Sequence, residues 1–128
     1  MADIRFIETE IAVAVHERQL AEHGGLSGTK DIGLLESAMG RPLNKHSYGE
    51  TDLCALAAAY AFGIARNHPF NDGNKRTAWV IARLFLRLND VSIAFDKVDA
   101  IETVLALAAG DLPEDRLAEW FRARIVPA

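Results

Sequence analysis

A single cysteine among 128 residues rules out an internal disulfide, which fits a chain folded in a reducing compartment. That residue, Cys54, sits inside the apolar run LCALAAAYAF, where a buried inert thiol is expected rather than a nucleophile. Basic excess is also missing. The net charge of −4 and a pI near 5.5 argue against non-specific attraction to nucleic acid or an acidic membrane. The longest apolar run, Leu53 to Ala65, is too short to cross a bilayer. The opening stretch, MADIRFIETE, has no apolar core of the kind a signal peptide needs. His16, His23 and His46 lie far apart, with no H-x₃-H or C-x₂-C spacing to suggest zinc, so they are expected to be ordinary surface or capping residues. Repeats, linkers and low-complexity tracts are absent. These gaps together leave a cytoplasmic protein, one domain over residues 1–128, with no direct nucleic-acid or membrane partner.

Half of the residues are hydrophobic, enough for a well-filled core in a chain that buries about two-thirds of its unfolded surface. Their period is helical almost throughout. Phe6, Ile7, Ile11, Val15 and Leu20 mark one face of a first helix ending at His23-Gly24-Gly25, with Gly24 as a left-handed cap. A short second helix, DIGLLESAM, is expected to stop at Gly40-Arg41-Pro42, leaving 41–50 as an exposed loop. Thr51 caps a third helix that runs through Ala65, and a fourth starts near Gly73 and reaches Leu88, with Trp79, Val80, Leu84 and Leu88 forming much of its buried stripe. VSIAF is a short extended piece, VDAIETVLALAA a fifth helix ending at Gly110, and PEDRLAEWFRARIV a sixth with Pro113 in its first turn. The expectation is an all-α, compact bundle of about six helices.

Into that apolar pattern the chain inserts HPFNDGNKRTAW, residues 68–79. Pro69 forces His68 out of helical geometry, and the next helix begins within a few residues. The first amides of a helix lack intrahelical acceptors and carry the positive end of its dipole, so a loop entering a helix is a ready anion site. Gly73 lets backbone N–H groups approach a ligand without a Cβ in the way. Lys75 and Arg76 place two cations where they oppose the dipole, a conflict that a bound anion resolves. Residues 66–87 carry net +4 against −8 for the rest of the chain, a local potential suited to a polyphosphate. Asp72 supplies the carboxylate that Mg²⁺ commonly takes alongside phosphate oxygens and water, and His68 supplies an imidazole, the side chain most often used as a general base. The set is complete for phosphoryl or nucleotidyl transfer. Each residue also has a plainer use: Asp72 as a helix cap, His68 as a loop residue, Lys75 and Arg76 as a solvated face. Phe70 is expected to anchor the loop in the core. Arg66 either reaches the phosphates or favours the C-terminus of the third helix.

HPFNDGNKR resembles the Fic motif, His-x-Phe-x-(Asp/Glu)-(Gly/Ala)-Asn-(Gly/Lys)-Arg, and the all-α setting resembles the Fic/Doc fold. The length, the preceding apolar helix and the early Gly24-Gly25-Leu26 turn resemble the Doc (death-on-curing) branch. The resemblance implies His68 as general base toward a protein hydroxyl, Phe70 as loop anchor and Asp72 as the Mg²⁺ ligand. It also implies Gly73 and Asn74 in the phosphate cradle and Arg76 gripping phosphates. Fic adenylyltransferases usually have Gly where this chain has Lys75, and a second Arg where it has Trp79. Doc-type proteins share the Lys and lack that second Arg, and the resemblance implies that their ATP lies reversed, with the γ-phosphate facing the base. Gly73, by contrast, is the residue of adenylylating relatives, where Doc itself has Ala.

The resemblance therefore implies a toxin: an ATP- and Mg²⁺-dependent protein kinase acting on a Thr or Ser of a target, with translation elongation factor EF-Tu as the expected one. No inhibitory (Ser/Thr)-x-x-x-Glu-(Gly/Asn) string is present, so restraint is expected from a Phd-like antitoxin. The family also uses a segment before the motif as a flap that positions the target, and Lys45, His46 and Tyr48 in the 41–50 stretch are candidates for it. Adenylyl transfer by the same base, and a non-catalytic nucleotide- or partner-binding module, remain open readings.

Overall fold

The computed structural model describes residues 3–127. Six helices follow one another: α1 (Thr9–His23), α2 (Ile32–Ser47), α3 (Leu53–Asn67), α4 (Asn74–Leu88), α5 (Lys97–Ala109) and α6 (Glu114–Arg122). Two short strands, β1 (Ser92–Ile93) and β2 (Ile125–Val126), pair antiparallel and close the C-terminal end of the chain onto the α4–α5 connection. The expected sixth helix therefore stops at Arg122, and Ile125 and Val126 pair as a strand. Apart from that two-residue ribbon the described fold is all-α.

α3 is the hub, packed by α2, α4, α5 and α6. Most of its length is buried, and much of that is alanine, so neighbouring helices can approach it closely on several sides. One such close approach is at Gly63, where a Cβ would stand 3.0–3.1 Å from the backbone and Cβ of Ala38 on α2. A glycine inside a helix costs about 1 kcal/mol relative to alanine; here it lets two backbones meet. The N-cap of α3 is Asp52, whose side chain accepts from the Cys54 amide at 2.9 Å, one residue beyond the expected Thr51. Asp52 also holds Arg122 at the end of α6.

The expected stop at Gly40-Arg41-Pro42 does not occur. α2 runs through Pro42 to Ser47, so only Tyr48 to Glu50 of the expected loop turn away from helix. Proline removes one helical donor, but Pro42 is buried, and Arg41 and Lys45 on the following turn both pair with Glu114 of α6. Tertiary contacts thus carry the helix past its weakest point.

Two buried stripes also differ from expectation. On α1 the buried residues are Ala12 and His16, while Ile11 is exposed, and Phe6 and Ile7 precede the helix. On α4 the deepest face is Asn74, Thr77, Ala78, Ile81, Ala82, Phe85 and Leu86, leaving Trp79, Val80, Leu84 and Leu88 half-buried on its flank. On α1 the buried face is small and polar, whereas on α4 Ile81, Phe85 and Leu86 share the deepest face with Asn74, Thr77 and the two alanines.

Candidate functional site

Residues 68–76 join the C-terminus of α3 to the N-terminus of α4. His68 caps α3 in the left-handed region (φ 49°, ψ 56°), its amide donating to Ile64 O at 3.2 Å. A non-glycine residue there is held against a local preference, and the Pro69 that follows disfavours the helical alternative. Its side chain is exposed. The nearest polar contact is Asn74 Nδ2, 3.4 Å from Nδ1, too long to fix the tautomer. Either ring nitrogen can therefore present its lone pair.

Asn74 is buried, and its amide faces inward. Oδ1 accepts from the Phe70 amide at 3.0 Å and Nδ2 donates to Phe70 O at 3.0 Å, so the side chain braces the loop while the backbone amide opens α4. Phe70 is buried, with its ring stacked on His16 of α1 at a centroid distance of 3.8 Å. His16, expected at the surface, is instead buried, and its Nε2 donates to the Asp72 carbonyl at 2.8 Å. An aromatic stack and a backbone acceptor together make burial of that imidazole tolerable. His23 and His46 are exposed, as expected.

Asp72 is exposed. Its Oδ1 accepts from the Gly73 amide at 2.9 Å and its Oδ2 from the Leu26 amide at 3.3 Å. The N-cap of α4 is Gly73, left-handed at φ 74°, with no side-chain cap bond; Asp72 is thus one residue too early to cap the helix. Among the described residues, the amides of Asn74, Lys75 and Arg76 have no acceptor, and the Lys75 and Arg76 side chains make no ion pair or hydrogen bond. Two free cations and three open amides therefore share the first turn of a fifteen-residue helix. That combination favours an anion.

The segment lying beside the motif is Gly25–Asp31. Lys30 and Asp31 donate their amides to Pro69 O, Asn71 donates to Gly28 O, and the Asn71 side chain donates to Ser27 O. Thr29 and Phe70 form an isolated antiparallel bridge. The bridge joins residues 41 apart in sequence, 70 − 29, and leaves no mark in the local pattern. Lys45 is committed to Glu114, His46 Nδ1 contacts Glu50 O at 2.9 Å, and Tyr48 stands 92% exposed. Lys45 and Tyr48, but not His46, border a cleft of about 690 Å³ between α2 and α3, which extends past Arg41 and Phe62 to Asn67, the neighbour of His68.

Arg66 leans over Gly110, the C-cap of α5, where a Cβ would stand 2.5 Å from its Nη1. Its charge faces the negative end of that helix dipole. Trp79, at the position of the second Fic arginine, packs with Phe95, Trp120 and Phe121, and Arg83 lies over Trp79 and Phe95. The positive charge counted along residues 66–87 is thus partly turned elsewhere, and Lys75 and Arg76 form its part at the motif. Cys54 is buried, and burial, reinforced by the Asp52 carboxylate, pushes its thiol up to about 11.

A family model described as the Fic/DOC family matches residues 6–86. The chain is 38% identical over 120 residues to the "Protein kinase doc" of Escherichia phage P1, spanning 93% of this chain and 94% of that protein. It is 41% identical over 100 residues to the "Toxin Doc" of Mycolicibacterium smegmatis, spanning 74% and 76%. With its motif at the α3–α4 junction and relatives of those names matching along most of its length, the chain belongs to the Fic/DOC family, on its Doc branch.

Proposed function

We propose that this protein is a toxin that phosphorylates a Thr or Ser hydroxyl of a target protein, using ATP. The observation that carries the reading is the pair of cations Lys75 and Arg76, unpaired among the described residues, beside the open amides of α4, with His68 at the other end of the same short loop. The names of the two relatives, a protein kinase and a toxin, support it.

In the proposed reaction, the phosphates of ATP lie across the amides of Asn74, Lys75 and Arg76, with both cations neutralising them. His68 takes the proton of the target hydroxyl, whose oxygen bonds to the γ-phosphorus. The bond from that phosphorus to the β–γ bridging oxygen breaks, and ADP leaves with the electron pair. Asp72 would hold Mg²⁺. Each of its oxygens takes one backbone donor and keeps a lone pair for a metal, and one carboxylate with phosphates and water is a common Mg²⁺ shell. The ion would neutralise phosphate charge as it builds on ADP. The side chain of Lys75 would occupy the place where a glycine admits the adenylylating pose, and Trp79 cannot replace an arginine's grip; both favour γ-phosphate transfer. Arg66 has no part in this proposal, because its charge is directed to α5.

Gly25–Asp31 is proposed as the flap, since an extended segment bonded to the motif loop is placed to guide a target chain past His68. The Lys45–Tyr48 end of α2 and its cleft provide a second surface for that chain. EF-Tu is the proposed target, and a Phd-like antitoxin the proposed restraint, both through the Doc likeness. His68→Ala tests the base: label transfer and growth arrest should both disappear while the fold persists. Retention of either would remove His68 from the mechanism.

A further inference from the structure

His16 lies on the inner face of α1, 1% exposed. Its ring plane is 5° from that of Phe70, and its Nε2 is 2.8 Å from the Asp72 carbonyl oxygen. A carbonyl only accepts, so the proton is on Nε2. The same edge of the ring underlies Gly73, where a Cβ would be 3.7 Å from His16 Cδ2 and Nε2. One imidazole, 56 residues upstream in sequence from Asp72, thus touches residues 70 and 72 of the motif and fills the space beneath 73.

The consequence follows from peptide geometry. The described chain has no cis bond, and in a planar trans peptide the C=O and N–H point in opposite directions. With the Asp72 carbonyl drawn inward to His16, the Gly73 amide must face the other way, where Asp72 Oδ1 receives it at 2.9 Å. Nothing in Gly73 itself fixes that plane, because glycine crosses between backbone regions at little steric cost. A turned-over peptide would put a carbonyl oxygen where the amide now stands, beside the Asp72 carboxylate and facing the anion.

We propose that His16 is a positioning residue: its Nε2–H locks the Asp72–Gly73 peptide with the carbonyl inward. That keeps the first amides of α4 and the Asp72 carboxylate turned toward the phosphates. The effect on catalysis rests on the phosphoryl-transfer reading, whereas the peptide orientation does not. Asn74 closes the loop from within, and His16 clamps it from α1.

The test compares wild type with His16→Phe, which keeps a stacking ring without the donor, and His16→Gln, which restores an amide donor without the ring. Gly73 amide hydrogen exchange reports the peptide plane, and KM for Mg·ATP with kcat for label transfer reports function. Phe is expected to leave the protein folded, speed Gly73 exchange and raise KM about tenfold, the scale of one hydrogen bond, with Gln recovering most of both. If the Phe variant does not fold, His16→Met takes its place as the donor-free variant. Gly73 exchange and KM unchanged in the donor-free variant, or Gln no better than that variant, would overturn the proposal. A wild type that transfers no phosphate sinks the kinase reading alone, and Gly73 exchange still decides the role of His16.

Discussion

Gly25 approaches the Asp72 carboxylate so closely that a Cβ on it would lie 2.9 Å from Oδ2 and 3.0 Å from Leu20 Cδ2. Its φ of +127° is also closed to other residues. The second glycine of the Gly24-Gly25 pair therefore does more than end a helix: it lets the loop after α1 lie against the carboxylate, whose Oδ2 then receives the Leu26 amide. Gly25→Ala should cost about 1–3 kcal/mol through backbone strain alone and displace Asp72. Denaturant unfolding and titration with Mg·ATP check it; undiminished nucleotide affinity in a destabilised but folded variant would separate Asp72 from the site.

Lys75 and Arg76 should show opposite effects on stability and binding. Each cation sits at the positive end of α4 without a partner among the described residues. Replacing either with Ala is expected to leave stability unchanged or raise it by about 0.3–1 kcal/mol, while weakening ATP at least about tenfold, as loss of a charge-assisted contact does. Thermal unfolding and calorimetric titration of the same two variants give both numbers. Destabilisation with normal binding would assign them a structural role instead.

Gly63→Ala probes the α2–α3 seam. The added methyl would press on the Ala38 backbone, which cannot swing aside as a flexible side chain would. A loss of about 1–3 kcal/mol is expected from overpacking, against the gain of up to about 1 kcal/mol that alanine normally brings to a helix interior. Urea unfolding decides the sign.

At high pH the core should fail through two buried acids. Burial pushes the Cys54 thiol from 9.0 to about 11, and the Tyr60 phenol from 10.0 to about 12. Both folded values lie above the unfolded ones. Their contribution is therefore fully present below about pH 9 and is lost as pH rises through the folded values, because only the unfolded chain releases these protons early. Stability measured from pH 8 to 12 should be flat and then fall. In the folded protein at pH 8, Cys54 should resist alkylation and react on unfolding.

Helix number and the motif junction were legible in the sequence, because period, caps and turn residues act locally. Gly110 and Pro113 marked their helix ends well. What stayed hidden depended on partners distant in sequence. α2 passes Pro42 because Glu114 is there to pair with Arg41 and Lys45. His16 is buried because Asp72 offers a carbonyl, and Ile125–Val126 pair because Ser92–Ile93 lie alongside. The phase of α4 was not legible either: Trp79 and Leu84 stand on its flank, while Ala78 and Ala82 share its deepest face with Ile81, Phe85 and Leu86. At the site, the residue types in 68–76 pointed to anion chemistry, but neither the buried brace nor the neighbouring 25–31 segment could be read without the fold.

The direct test of the central claim is to incubate the protein with EF-Tu, Mg²⁺ and ATP labelled at either the α- or the γ-phosphate. The account predicts label on a target hydroxyl only from the γ-position, abolished by His68→Ala. Label arriving from the α-position instead would contradict it and make this chain an adenylyltransferase.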